Sequence, residues 1–354
     1  MKPEEWIRDP VFQLNLLLWM SLDQPDEAFL VYPLFARHGF ELRFIEQPFA
    51  FPIATIASIE NAEKAGQPKI SRCPEPELIL KRDLDQSALY FEAKKSSFSS
   101  NSSTCVQARG HLLATGPVFA DVLAPLKSAT LTYVLPADQG ALMRVCLSEL
   151  TAQLQQSGFS SGTFSVAGLA VENETMNYRL DAAGQTAVGC RDQSVVLMRE
   201  INEATDPSPI MLIFSEQDCA DQIRPGYYRH ILQQQVLAAL LCRLHQVPTP
   251  GSIVINAAEL LTETTQGVFK YLGRERQRAM ETMVRKNVFL TISDTWKDRA
   301  SDMVSLRARE LTVSFTDPQK RDEFFDWLES RKTKFPDVLP SVDGIEQMDL
   351  FGAL

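Results

Sequence analysis

Two short apolar runs, Leu78–Arg82 and Ala88–Lys94, flank the turn-rich segment Asp83-Leu84-Asp85-Gln86, and no other feature constrains this chain as tightly. A four-residue hairpin loop there sets Arg82 opposite Ser87 and Glu77 opposite Glu92. Side chains alternate along a strand, so Lys94 falls on the face of Glu92, and Glu77 joins them across the ladder. The opposite face then carries Leu78, Leu80, Leu89 and Phe91, a consistent apolar set. An even loop length thus gathers two carboxylates and one lysine at one end of a hairpin.

Two carboxylates at that separation suit magnesium, a hard cation that takes oxygen ligands and keeps several waters. Such an ion polarises a phosphodiester oxygen and acidifies a bound water. A lysine beside it orients that water or steadies the charge growing on the phosphate. The plainer alternative is a salt-bridged solvent face on an ordinary strand pair. Context favours the chemical reading: an acidic residue follows Pro76 ahead of the first apolar strand, and a polar helix follows the second.

The flanking pattern is that of an α/β unit. Helices are expected at Pro10–Ser21, Ser58–Lys64, Val106–Leu123 and Ala141–Gln156, and strands at Ala129–Leu135 and Thr163–Val171. Phe40–Ile45 and Ile53–Ile59 each read as a short strand or a helix start. The stretch Asn173–Asp206 is polar, with strands and long loops expected. Further on, Ile210–Phe214 reads as an apolar strand and Tyr227–His245 as a helix broken by Pro248-Thr249-Pro250-Gly251. A strand at Ile253–Asn256, a helix at Val268–Lys286 and a strand at Val288–Ile292 follow. A last helix opens at Asp317-Pro318, with Asp as N-cap and Pro in the first turn, and runs to about Arg331. Cores rarely grow past ~250–300 residues, so 354 residues with 45% hydrophobic content imply more than one.

The order Pro76-Glu77 … Glu92-Ala93-Lys94 … Gln107 resembles the PD-(D/E)xK nuclease superfamily, as does the strand–strand–helix–strand sequence around it. The likeness covers roughly residues 60–135. It implies a nuclease-like core, a mixed sheet flanked by helices, in a domain 1–206 with its centre at about 58–171. It also implies that Glu77 and Glu92 hold magnesium or manganese, that Lys94 is the catalytic lysine and that Gln107 is a polar helper. Glu60 is a further candidate ligand, and Glu75 competes with Glu77 for the first position. One departure matters: Glu77 stands where the family usually has Asp. Lys95, Ser96 and Ser97 extend this end into a polar loop suited to a phosphate, and His111 shares a helical face with Gln107.

The chain carries a net charge of −10, so any nucleic-acid contact must come from a local patch. Residues 270–286 supply one. Lys270, Arg274, Arg276, Arg278, Arg285 and Lys286 against Glu275 and Glu281 give six minus two, a local +4. Arg274, Arg278, Arg285 and Lys286 are the expected DNA contacts of a second α/β domain at 207–333, an ion-paired solvated helix being the alternative. A Pro/Gly-punctuated, flexible tail at 334–354 ends in Gln347-Met348-Asp349-Leu350-Phe351, which resembles the bacterial sliding-clamp-binding motif. That resemblance implies that Leu350 and Phe351 fill apolar subpockets, with Gln347 hydrogen-bonding and Met348 adding adaptable contact.

Six cysteines without a CxxC pair and four scattered histidines give no zinc spacing. Reduced thiols, no visible signal peptide and no run near ~20 apolar residues lead to an expectation of a cytoplasmic protein without a membrane. Together these readings point to a magnesium-dependent DNA nuclease brought to replicating DNA by the sliding clamp. It would act in repair, restriction or phage defence, with further protein subunits as compatible partners. The rival is a catalytically inactive nuclease-fold protein that binds DNA or serves assembly while docked on the clamp.

Overall fold

The structure, a computed structural model, describes residues 2–24, 30–100, 102–116, 123, 125–206, 208–214, 227–300 and 302–330. By internal contacts the chain divides into two compact units, Met1–Ile210 and Met211–Leu354. The clamp-like residues Gln347, Met348, Leu350 and Phe351, and the tail that carries them, lie outside the described residues.

The first unit is α/β. Seven strands, β1 (Glu41–Ile45), β2 (Leu78–Arg82), β3 (Ser87–Ala93), β4 (Ser128–Pro136), β5 (Thr163–Glu172), β6 (Thr175–Leu180) and β7 (Ser194–Met198), lie side by side in chain order. β3–β4 and β4–β5 are parallel, and the four remaining pairs are antiparallel. Parallel neighbours need a long crossover, supplied here by α5 (Thr104–Ala114) and α6 (Gly140–Gln156).

Helices cover both faces of this sheet. On one, α4 (Ile53–Lys64), α5 and α6 bury Ile59, Leu112, Leu147 and Leu150 against Ile79, Tyr90, Leu131 and Tyr133. On the other, after the single turn α1 (Pro3–Trp6), α2 (Pro10–Ser21) packs on β1, β3 and β4, while Phe35 of the short α3 (Leu34–Arg37) meets Phe91 at 5.0 Å between ring centroids. Asp9 starts α2 by accepting from the Val11 amide at 2.9 Å, and Pro10 occupies the first turn. Every α2 residue from Val11 to Ser21 is buried, Gln13 and Asn15 included.

The β2–β3 hairpin has the expected register: Arg82 pairs with Ser87, Leu80 with Leu89 and Leu78 with Phe91. Its loop is tied from within. The Arg82 guanidinium donates twice to Asp85, at 3.0 and 2.7 Å, and the Ser87 hydroxyl donates to the same carboxylate at 2.7 Å. These bonds, Arg82 foremost, hold the Asp85 carboxyl below its usual range. Both faces of β3 are buried, because the sheet has helices on either side.

Several expected elements differ. Of the two readings of Ile53–Ile59 the helix start holds, since α4 begins at Ile53, with Ile56 and Ile59 packed inward at helical spacing and Ile53 exposed. The helix α5 ends at Ala114, short of the expected Leu123. Within 173–206 the chain forms β6, β7 and α7 (Ala182–Val188), the last capped by Asp181. Residues 211–214 are buried but form no strand.

The second unit contains a three-stranded antiparallel sheet in the order β8 (Gly251–Asn256), β10 (Glu310–Phe315), β9 (Val304–Arg307). Its described helices are α8 (Tyr227–His245), α9 (Ala257–Thr264), α10 (Arg274–Met283), α11 (Thr291–Lys297) and α12 (Pro318–Ser330). Trp296, Phe315 and Phe324 are among its fully buried side chains. The expected helix at Val268–Lys286 is divided: a 3₁₀ turn at Val268–Tyr271, then α10, then a π-helical segment Val284–Leu290 that leads into α11. The expected strand Val288–Ile292 is therefore helical. Buried Val284, Val288, Phe289, Ile292 and Trp296 follow the i, i+3, i+4 spacing of one helical face, which outweighs the local strand preference of Val and Phe.

Candidate functional site

β3 ends by delivering Glu92 and Lys94 to the face that α4, α5 and α6 cover, and Glu77 arrives there from the residue before β2. The three side chains meet. The Lys94 ammonium lies 2.8 Å from Glu92 Oε2 and 3.2 Å from Glu77 Oε1. The other Glu77 oxygen accepts from the Ala93 amide at 2.7 Å, which fixes the carboxylate across the strand end. Backbone bonds hold Lys94 itself: its amide donates to the Val134 carbonyl at 2.8 Å, and its carbonyl accepts from the Gln13 side chain at 3.1 Å.

Burial decides how these groups behave. Glu92 is 1% exposed, whereas the Glu77 and Lys94 side chains keep 22% and 23% of their surface in contact with solvent. Loss of water raises the Glu92 carboxyl above its ordinary value, against the pull of Lys94. Glu77 is raised to about 7, first by burial and then by the neighbouring Glu92, with Lys94 opposing. Burial works against the Lys94 charge, but Glu92 and Glu77 more than offset it and hold the ammonium protonated. One cation thus faces two carboxylates, and a proton held on the pair relieves the excess negative charge.

α5 closes the site from behind. His111 is fully buried, with Nδ1 3.3 Å from Glu92 Oε1, outside hydrogen-bonding geometry, so Glu92 Oε1 lacks a donor and the ring's polar contact is with the Glu75 backbone. Burial, and secondarily Lys94, lower the imidazole to about 3, and the Glu75 backbone counters weakly. His111 is therefore neutral near pH 7. Tyr133, paired with Glu92 across the parallel β3–β4 ladder, is also buried, and its hydroxyl is pushed far up by burial and the nearby carboxylates.

Comparison with known proteins found no matching family model, curated protein or solved structure.

Of the remaining residues expected at the site, Gln107 and Glu60 are placed apart from this cluster, and Glu75 meets it only through its backbone, at His111. Gln107 is exposed on the first half of α5, and the α5 side chain set against Glu92 is His111. Glu60 forms a surface ion pair with Arg72 at 3.1 Å, while Arg72 also binds Glu63 at 2.9 Å. Glu75 is exposed. His111 was visible in the sequence as the i+4 neighbour of Gln107, but its burial depends on how α5 settles on the sheet. At Gly110 an added Cβ would stand 2.7 Å from Ser71 Cβ, so the missing side chain lets α5 press close to Ser71.

Among the described residues, no group of three or more His, Cys, Asp and Glu side chains is spaced to hold a metal ion. Magnesium asks less of a protein, one or two carboxylates with waters completing the shell. Glu77 and Glu92 converge on a single monovalent cation, and one Glu92 oxygen has no donor. In charge and in donor type the pair fits a divalent ion.

In the second unit Arg274, Arg278, Arg285 and Lys286 are all exposed. Arg274 and Arg278 share one row on α10. Arg285 and Lys286 fall in the π-helical segment, whose wider turns shift them from the row that a uniform α-helix would give. Glu281, one of two acids in the stretch, pairs with Arg309 at 2.9 Å. No described helix is long and apolar enough to cross a membrane.

Proposed function

We propose that this protein is a divalent-metal-dependent DNA nuclease that works at the Glu77–Glu92–Lys94 cluster. The observation that carries the reading is one ammonium shared by two carboxylates at 2.8 and 3.2 Å, at a strand end. Magnesium or manganese would be held by Glu77 and Glu92, and when bound it would supply a polarised phosphodiester oxygen and a more acidic water. Lys94 would hold its proton throughout and offer positive charge to the phosphate. Glu77, raised to about 7, would release its proton in the neutral range, where it becomes available as a ligand. The exposed Lys95 and Ser96 beyond β3 would meet the backbone of the nucleic acid.

Arg274, Arg278, Arg285 and Lys286 would contact DNA phosphates without reading sequence. The tail would bind the bacterial sliding clamp through Gln347, Met348, Leu350 and Phe351, recruiting the nuclease to replicating DNA for repair, restriction or phage defence. A second reading, a catalytically inactive nuclease-fold protein docked on the clamp, is favoured by the depth of Glu92 and by the lysine between the carboxylates. Cleavage of plasmid and single-stranded DNA with and without magnesium separates the two. Full activity in Glu92→Ala or Lys94→Ala protein would end the catalytic assignment. Unchanged clamp affinity after alanine replaces Leu350 and Phe351 would end the recruitment part.

A further inference from the structure

We infer that His111 is a positioning residue that orients Glu92 for a divalent cation, an inference that rests on the metal reading of this site. Two buried polar atoms face each other without a formed hydrogen bond, Glu92 Oε1 and His111 Nδ1, while the ring's polar contact is with the Glu75 backbone. An unpaired buried polar group costs about 1–3 kcal/mol, so such a group persists where a function or a second state uses it. The second state is at hand. At 3.3 Å, Nδ1 and Oε1 are one small rotation from a hydrogen bond. With Glu92 ionised, the Nδ1–H tautomer donates to Oε1 and leaves Oε2 on the side of Lys94 and Glu77.

The surroundings fix the ring for this task. α5 presents His111 between buried Gly110 and Leu112, and Leu112 is part of the core beneath the sheet. Gly110 lets the helix approach residue 71 closely, and the Ser71 amide donates to the Val106 carbonyl at 2.9 Å. α5 is thus anchored on the loop that precedes β2, which sets the place of the imidazole beside the Glu92 carboxylate. Partners of this kind, one shell behind the ligand, fix its orientation and raise its basicity.

The test is manganese binding to the full chain by titration calorimetry, in wild type, His111→Leu, His111→Asn and Glu92→Gln. Asn keeps an N–H donor near the Nδ1 position, and Leu keeps much of the volume without one. His111→Leu is expected to weaken binding about ten- to a hundredfold, and His111→Asn to recover most of the loss. Wild-type affinity in His111→Leu, with binding abolished in Glu92→Gln, would overturn the role of His111 and leave the metal reading standing. Wild-type affinity in Glu92→Gln would remove the metal reading and this inference with it. Should His111→Leu fail to fold, the imidazole ¹⁵N resonances of His111 in the wild type decide: they shift on adding magnesium, and do not in Glu92→Gln. Resonances that stay fixed in the wild type would overturn the role.

Discussion

The carboxylate–lysine cluster of the first unit and the basic row of the second use similar residues under opposite conditions. At the cluster, Glu92 and His111 are sealed from water, and two acids share one ammonium. On α10 and the π-helical segment, Arg274, Arg278, Arg285 and Lys286 stand in solvent. Water screens exposed charges within roughly 8–10 Å at ordinary salt, whereas buried ones feel each other and their lost hydration strongly. Charge in the first place sets protonation and local stability. In the second it sets long-range attraction and little else. The two regions therefore respond to different perturbations.

The largest contrast is expected from removing a cation in each place. Lys94→Met leaves two buried carboxylates without compensation and destabilises the fold by about 3–5 kcal/mol, while Arg278→Met changes stability by within about 0.5 kcal/mol. Thermal unfolding of the two variants beside the wild type measures this. Equal midpoints would erase the distinction. A Glu77→Gln change added to Lys94→Met should return part of the loss, since it removes one of the stranded charges.

Metal gives the next largest effect. A divalent ion bound to the folded state at a hundredfold excess over its Kd adds about 2.7 kcal/mol of stability. Manganese should raise the thermal midpoint of the wild type and leave that of Glu92→Gln unmoved. A rise in both would direct attention to a different site.

A smaller effect follows from pH. Glu77 is raised from 4.5 to about 7, so between those values the folded chain keeps a proton that the unfolded chain has released. Its contribution to stability is present in full below about 4.5 and is lost as pH rises through about 7. Glu77→Gln should flatten this fall across that window, read as thermal midpoint against pH. A slope unchanged by the substitution would mean that another group carries it.

The smallest effects belong to the basic row. Arg274→Ala and Arg278→Ala should each reduce the salt dependence of DNA binding by about one unit of slope, uniformly across sequences and with an unchanged midpoint. Binding that ignores both substitutions would reduce α10 to a solvated helix.

Much of the cluster was legible in the hairpin because strands obey a period of two and the loop is even. Arg82, Asp85 and Ser87 lock that loop, and the pairing from Leu78 to Ser87 then carries Glu77 to Glu92 and Lys94. Gln107 and His111 were less legible. Both occupy one helical row in sequence, yet only packing decides that the first lies in water and the second against Glu92. The strand expected at Val288–Ile292 failed for a related reason: a five-residue window of Val, Phe, Leu and Ile has no period of its own, and Trp296 and Val284 outside it reveal the helix.

Local sequence thus determined the hairpin, its register and the face on which two acids and a lysine meet, because alternation and turn length act over a few residues. Tertiary structure alone decided that this face would be buried, since that depends on α4, α5 and α6 closing over the sheet. Burial is what raises the two carboxylates and keeps His111 neutral, and electrostatic energy depends on the surrounding medium as much as on the charges.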